Sequence, residues 1–229
     1  PQPIVIALTG CPGVGKDTIA DLISPALGFQ RVAFADALRR EIAEAWRLPA
    51  DMLTDRSTKE WDIPALAIGM CADTGFMTWC NESGLSLHAA RSPRWVMQNW
   101  GDYRRRYTPD HYAQIVARWI QRHIGIGWNR IVVTDLRYPS EAEALDQFDP
   151  KIIRINRPNS DTILAADTAS HSSERHELIT PHHVINNNFD IPQLAWNTLT
   201  VLRLLGVDVQ QNPADQWPTT EVAVEGGAA

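Results

Sequence analysis

The chain has 229 residues, a mass of 25.7 kDa, and 27 acidic against 21 basic side chains, a formal net charge of −6. That acidic balance excludes a protein that coats DNA through a basic face, because displacing counterions from phosphates needs clustered Lys and Arg; it leaves open a local basic pocket for one small phosphorylated ligand. With 44% hydrophobic and 21% charged residues the composition is that of a globular domain, so disorder as the main state is excluded too.

The residues that follow in order read as an alternation of strands and helices. Residues 3–9 (PIVIALT) are a short apolar, β-branched run, the pattern of a buried strand. A Gly-rich turn follows, then a helix over 17–27 ended by Gly28. Residues 31–34 read as a second strand and 37–46 as a helix with Leu38, Ile42 and Trp46 at helical spacing. The period is lost over about 49–91, which reads as an insertion with short helices and a small hairpin. Ser92-Pro93 opens the next helix with a good cap and a proline in its first position. Another helix covers 110–124, with Tyr112, Ile115, Val116, Trp119 and Ile120 on one face. Strands follow at 130–134, ending at Asp135, and at 151–155, with a helix over 141–145 between them. Residues 156–177 are polar and irregular. A short fifth strand is expected at 184–186, a last amphipathic helix over 191–202, and a surface arm or tail over 207–229. The expected fold is therefore an α/β domain over 1–206 around a mostly parallel sheet.

Several counts bear on setting. Cys11, Cys71 and Cys80 cannot all pair within the chain, so a reducing cytoplasm is expected. No apolar run reaches the roughly 18–20 residues of a membrane span, and Pro1-Gln2-Pro3-Ile4 lacks the basic stretch of a signal peptide. The nine tryptophans are expected to serve mainly as core filler. The late histidines, His171, His176, His182 and His183, lack the cysteine partners of a zinc site and are expected at the surface or in a lid.

The sharpest signal is Gly10-Cys11-Pro12-Gly13-Val14-Gly15-Lys16-Asp17-Thr18. It fits GxxxxGK between a strand and a helix, the context in which a phosphate-binding loop works. Its glycines let successive N–H groups point inward, the helix N-terminus adds partial positive charge, and Lys16 reaches the terminal phosphates. Asp17 stands where Ser or Thr usually follows the lysine, so that position would hold Mg²⁺ through a water, or Thr18 would contact a phosphate instead.

An acceptor side is readable at Asp135-Leu136-Arg137-Tyr138-Pro139. A carboxylate at the carboxyl end of a buried strand suits an acid that orients Mg²⁺ or its waters; Asp135 would equally cap a helix beginning at Pro139. Arg137 supplies a planar fork of donors of the kind a migrating phosphoryl group needs. Arg94, the run Arg104-Arg105-Arg106 between two helices, and Arg154 and Arg157 around the end of the fourth strand are further candidates, the run being in part a solvated loop.

Taken with Phe34-Ala35-Asp36-Ala37-Leu38, Ser92-Pro93-Arg94, Gln98, Gly101, Arg106, Ser140-Glu141-Ala142-Glu143, His171-Ser172-Ser173-Glu174 and Ile185-Asn186-Asn187, these segments resemble the deoxynucleoside monophosphate kinases of tailed bacteriophages over about 3–200. The resemblance implies a three-layer P-loop nucleoside monophosphate kinase fold with a five-stranded parallel sheet, an inserted substrate-binding helical region and a lid over about 156–177. It implies transfer of the ATP γ-phosphoryl to a dNMP, with ATP and Mg²⁺ as cofactors and the host cytoplasm as setting. Gly10, Gly13, Val14, Gly15, Lys16, Asp17 and Thr18 would bind ATP; Asp36, Arg94, Gln98, Arg106 and Arg137 would line the monophosphate site. Lys16, Arg137, Asp135 and the lid's Arg157 would act in catalysis, and Asp17 and Asp135 would face the metal. Family members can be homodimers, and Trp61 and Trp79 are candidates for such an interface. The family often has Thr-Glu after its glycine, where this chain has Asp102-Tyr103, and nothing over 49–91 matches a family motif. Two further readings stay open: another small-molecule P-loop kinase, of the nucleoside or dephospho-CoA kinase kind, with Asp36 as base for a hydroxyl acceptor; and a nucleotide-binding module without catalysis.

Overall fold

The computed structural model describes residues 2–55, 57–158, 175–188 and 190–209. Five parallel strands form one sheet in the order β2-β3-β1-β4-β5, with β1 Ile4–Thr9, β2 Gln30–Val32, β3 Arg130–Leu136, β4 Lys151–Asn156 and β5 His183–Asn186. Each of the three central strands is buried on both faces, which explains its near-continuous apolar sequence. Val5 and Ala7 of β1 and Ile131 and Val133 of β3 point into one core; Ile6 and Leu8 of β1 and Val132 of β3 point into the other. This alternation is the strand period of two.

Helices cover both faces. On one side lie α1 (Lys16–Leu27) and α7 (Ile191–Leu204), supplying Ile19, Ile23, Leu194 and Leu202. On the other lie α2 (Phe34–Trp46), α3 (Thr74–Glu82), α4 (Pro93–Tyr107), α5 (His111–Gly125) and α6 (Pro139–Leu145). The expected five-stranded parallel α/β architecture is thus present. The chain leaves β1 toward one edge and later crosses from β3 to β4 toward the other, so the glycine-rich loop after β1 sits where the winding changes direction, at the strands' carboxyl ends.

Four local expectations need correction. Phe34 does not end β2 but opens α2, because the Asp135 carboxylate accepts from the N–H groups of both Phe34 and Ala35, at 2.8 and 2.9 Å. Asp135 itself lies within β3, which runs on to Leu136. Arg104, Arg105 and Arg106 are not a run between helices; they form the last turn of α4, where cations complement the helix dipole. The hairpin over 49–91 reduces to one antiparallel bridge, Ile63 to Arg91, beside 3-10 turns and α3.

That insertion is part of the core. Leu53, Leu66, Ile68, Phe76 and Cys80 are buried with α2 and α4, and the Trp46 indole N–H donates to the Ala67 carbonyl at 3.0 Å. Trp46, Phe76 and Trp100 meet edge-to-face or tilted with centroids 5.1–5.5 Å apart. Trp79, one of the two residues considered for an interface, packs against this cluster, whereas Trp61 is exposed. Trp196 is also exposed, so core filling accounts for most of the described tryptophans and not all. No disulfide joins Cys11, Cys71 and Cys80. No helix among the described residues is long and apolar enough to cross a membrane.

Candidate functional site

The loop between β1 and α1 is shaped by its glycines. Gly10 has φ +131°, and a Cβ there would fall 2.3 Å from the Ile155 carbonyl oxygen on β4. Gly15 has φ +108°, and a Cβ there would fall 2.6 Å from the Asn187 side-chain nitrogen. Side chains are excluded at both positions by conformation and by space. Gly15 is also the N-cap of α1 and offers no side-chain acceptor to the first-turn N–H groups, which leaves them for an anion. Gly13 is exposed at the tip of the loop, and Val14 is buried in the core between α1 and α7.

Asn187, just past β5, holds this loop from the far side of the sheet. Its amide donates to the Val14 carbonyl at 2.8 Å, while its own backbone N–H donates to Asn156 at 2.7 Å. Asn187 stands in the Ile185-Asn186-Asn187 motif, yet nothing in its sequence neighbourhood announces a partner 173 positions away. His176 corrects an expectation: it is buried, with its Nε2 3.5 Å from the Cys11 Sγ in the loop. Arg154 on β4 donates to the carbonyls of His176 and Ile179, so it serves to pin that segment to the sheet.

Lys16 folds over the loop and donates to the carbonyls of Gly10 and Cys11, each at 2.7 Å. Burial and then the neighbouring Arg137 charge push its pKa down to about 8, against a smaller upward pull from Asp135 and Asp17. Lys16, Asp17, Asp135 and Arg137 are therefore one electrostatic group. The Arg137 side chain is exposed and makes no hydrogen bond or ion pair among the described residues, so its guanidinium is free to take an oxyanion. The Asp17 carboxylate leans toward Arg31, 3.6 Å away. Thr18 is half-buried in the first turn of α1.

A depressed lysine has a measurable consequence. A triphosphate in the loop favours the ammonium, so binding raises the Lys16 pKa and takes up a proton wherever the free protein has lost it. With the free value at about 8, calorimetry in buffers of differing ionisation heat is expected to find uptake of up to about 0.7 proton at pH 8.5 and almost none at pH 6.5. Uptake that persists in Lys16→Met would assign the proton elsewhere.

Asp135 is enclosed between β3 and α2, and burial raises its pKa while Arg137 and the two backbone donors oppose the shift. It caps α2, not the helix at Pro139. That second helix is served by Glu141, whose carboxylate accepts from the N–H groups of Arg137 (2.8 Å) and Tyr138 (3.0 Å). Burial and the Asp135 charge push Glu141 up to about 8. Asp36, in the first turn of α2, is close enough to Asp135 to raise its pKa and pairs with Arg39 at 2.8 Å.

The remaining candidates stand further off. Arg94, near the start of α4, pairs with Glu60 at 2.6 Å. Gln98 is half-buried on α4, Arg106 is exposed at its end, and Arg157 is exposed just past β4. No hydrogen bond or ion pair among the described residues joins Arg94, Gln98 or Arg106 to the Lys16 group. Residues 159–174 of the expected lid, His171 among them, and the tail beyond 209 lie outside the described residues.

No protein-family model matches the chain, and no curated protein matches it. Among solved structures it is similar to TT1252 from Thermus thermophilus, with a TM-score of 0.50 at 14% identity, covering 90% of this chain and 98% of that one. Looser likenesses include a dephospho-CoA kinase from Campylobacter jejuni (TM-score 0.47, 15% identity, 88% and 96% covered) and an unliganded sugar kinase from Janibacter sp. (0.45, 14%, 91% and 97%). At these identities the likeness concerns the fold.

Proposed function

We propose that the chain is a P-loop kinase that transfers the γ-phosphoryl group of ATP to a deoxynucleoside monophosphate. The observation that carries the reading is the convergence of Lys16 and the exposed Arg137 at the carboxyl ends of β1 and β3. Two cations at one point match a reaction in which both reactants are phosphates and negative charge spreads over the migrating group.

The chemistry then asks for positioning and neutralisation and for little proton transfer, since a phosphate monoester is already ionised near neutral pH. The loop N–H groups and the α1 N-terminus hold the ATP phosphates. Lys16 leaves the carbonyls of Gly10 and Cys11 to follow the transferred phosphoryl. Arg137 takes its equatorial oxygens, with Arg157 as the expected lid contribution. Mg²⁺, when bound, would supply positive charge that neutralises the phosphates during transfer. Among the described residues no three His, Cys, Asp or Glu side chains are grouped to hold a metal, so Asp135 and Asp17 would reach it through water. Asp36, Arg94, Gln98 and Arg106 are proposed for the acceptor.

A second reading has a specific observation behind it. A kinase acting on a hydroxyl needs a carboxylate base, and Asp36 is exposed at the top of α2 beside Asp135. Its pairing with Arg39 at 2.8 Å engages the carboxylate and so favours the phosphate acceptor. The test is ADP release from Mg-ATP in the presence of each of the four dNMPs, of nucleosides and of dephospho-CoA. Release dependent on one or more dNMPs is expected. Dependence on a hydroxyl acceptor alone moves the assignment to the second reading, and no acceptor dependence at all leaves a nucleotide-binding module.

A further inference from the structure

The three consecutive arginines at the end of α4 have three different surroundings. Arg104 turns into the domain: its guanidinium lies 4.6 Å over the Trp100 ring and pairs with Glu41 (3.3 Å) and Asp73 (3.4 Å). Glu41 also accepts from the Trp100 indole, Tyr112 and His111. Arg104 is thereby committed to joining α2, α3 and α4. Arg106 is exposed. Arg105 does something else. Its guanidinium stacks 4.7 Å over the ring of Tyr138, the residue next to Arg137, and is steadied by Asp102 at 3.1 Å.

Helical spacing puts Arg105 on one stripe of α4 with Arg94, Gln98 and Gly101, at i, i+4, i+7 and i+11. Arg106 is a further 100° around the axis. Gly101 is the gap in that stripe: a Cβ there would fall 2.7 Å from the Arg105 Nη2 and 3.3 Å from its Cζ. The missing side chain gives the guanidinium its place over Tyr138. The Arg137–Tyr138 turn is consequently held from two sides, by Glu141 through its backbone N–H groups and by Arg105 through the Tyr138 ring.

We infer that Arg105, admitted by Gly101 and acting through Tyr138, is a positioning residue that presents Arg137 to the migrating phosphoryl group, and that Arg106 has no such role. The clamp is a matter of geometry; its catalytic consequence rests on the kinase reading above. A cation over an aromatic face is worth enough to shift the turn's opening equilibrium by about tenfold.

Two measurements on the same variants test it. In Arg105→Ala, and more weakly in Gly101→Ala, amide hydrogen exchange at Arg137 and Tyr138 is expected to accelerate by about tenfold while the phosphate loop keeps its protection. Arg106→Ala and Tyr138→Phe, which keeps the ring, are expected to leave exchange unchanged. In dNMP-dependent turnover, Arg105→Ala is expected to lower kcat by about tenfold or more with the KM for ATP within about twofold. Combining Arg105→Ala with Tyr138→Leu is expected to cost no more than the worse single change, the mark of one shared interaction. Exchange unmoved by Arg105→Ala, or moved equally by Arg106→Ala, overturns the clamp. Faster exchange with kcat unchanged overturns the positioning role. No dNMP-dependent turnover in the unsubstituted protein overturns the acceptor assignment, and with it the catalytic half of the inference, while the exchange comparison still decides the clamp.

Discussion

Lys16→Ala is expected to lower phosphoryl transfer by about a thousandfold or more while the protein stays folded. Among the described residues the lysine is the one cation that donates to the loop carbonyls, at 2.7 Å from each, and the proposed mechanism has it follow the transferred group. A charge placed where negative charge develops is worth several kcal/mol in the transition state, on the order of three decades in rate. Stability responds differently. Because burial and Arg137 depress the Lys16 pKa to about 8, the folded protein disfavours the ammonium below that pH. That cost is fully present under pH 8 and fades as pH rises toward the ordinary lysine value of 10.5. Removing the amine is therefore expected to leave the Tm at pH 7 unchanged or slightly higher. A coupled assay of ADP formation beside a thermal melt reads both; turnover within tenfold of the unsubstituted protein would remove Lys16 from the mechanism.

Asp135→Ala is expected to fail in both respects. Its two carboxylate oxygens each accept a backbone N–H from the first residues of α2. Without them two enclosed donors lose their acceptor, at about 1–3 kcal/mol each. For a chain of this size that corresponds to a fall in Tm of about 4–24 °C. Asp135→Asn keeps one carbonyl acceptor and sheds the charge that burial penalises, so it is expected to retain most of the Tm while losing Mg²⁺-dependent turnover. An alanine variant as stable as the parent would mean that α2 does not depend on this cap.

Asp135 also illustrates where a sequence is ambiguous. Its place at the end of an apolar strand admits two roles, a metal-facing acid and a helix cap. The structure establishes a cap, on a different helix from the one that follows it in the chain. The helix it caps begins 101 residues earlier, at Phe34. That is also why Phe34 reads as strand in the sequence: a phenylalanine after Val32 extends an apolar run, and only a carboxylate from β3 caps a helix there. The arginine triplet repeats the lesson. Composition marks Arg104, Arg105 and Arg106 alike, and their different partners, Glu41, Tyr138 and solvent, follow from their rotation around the last turn of α4.

What the sequence by itself determined is local. GxxxxGK carries its own conformation, since glycines at positive φ, a lysine and a helix start are set by residues adjacent in the chain. The three central strands are legible because burial on both faces demands near-continuous apolar runs. What only the tertiary structure decided is every contact between distant segments. Asn187 reaches the loop at Val14, Arg105 holds the Arg137–Tyr138 turn from another helix, and residues 49–91 belong to the core although they carry no periodic pattern. Hydrogen-bond geometry and packing choose those partners in three dimensions, and no spacing along the chain encodes them.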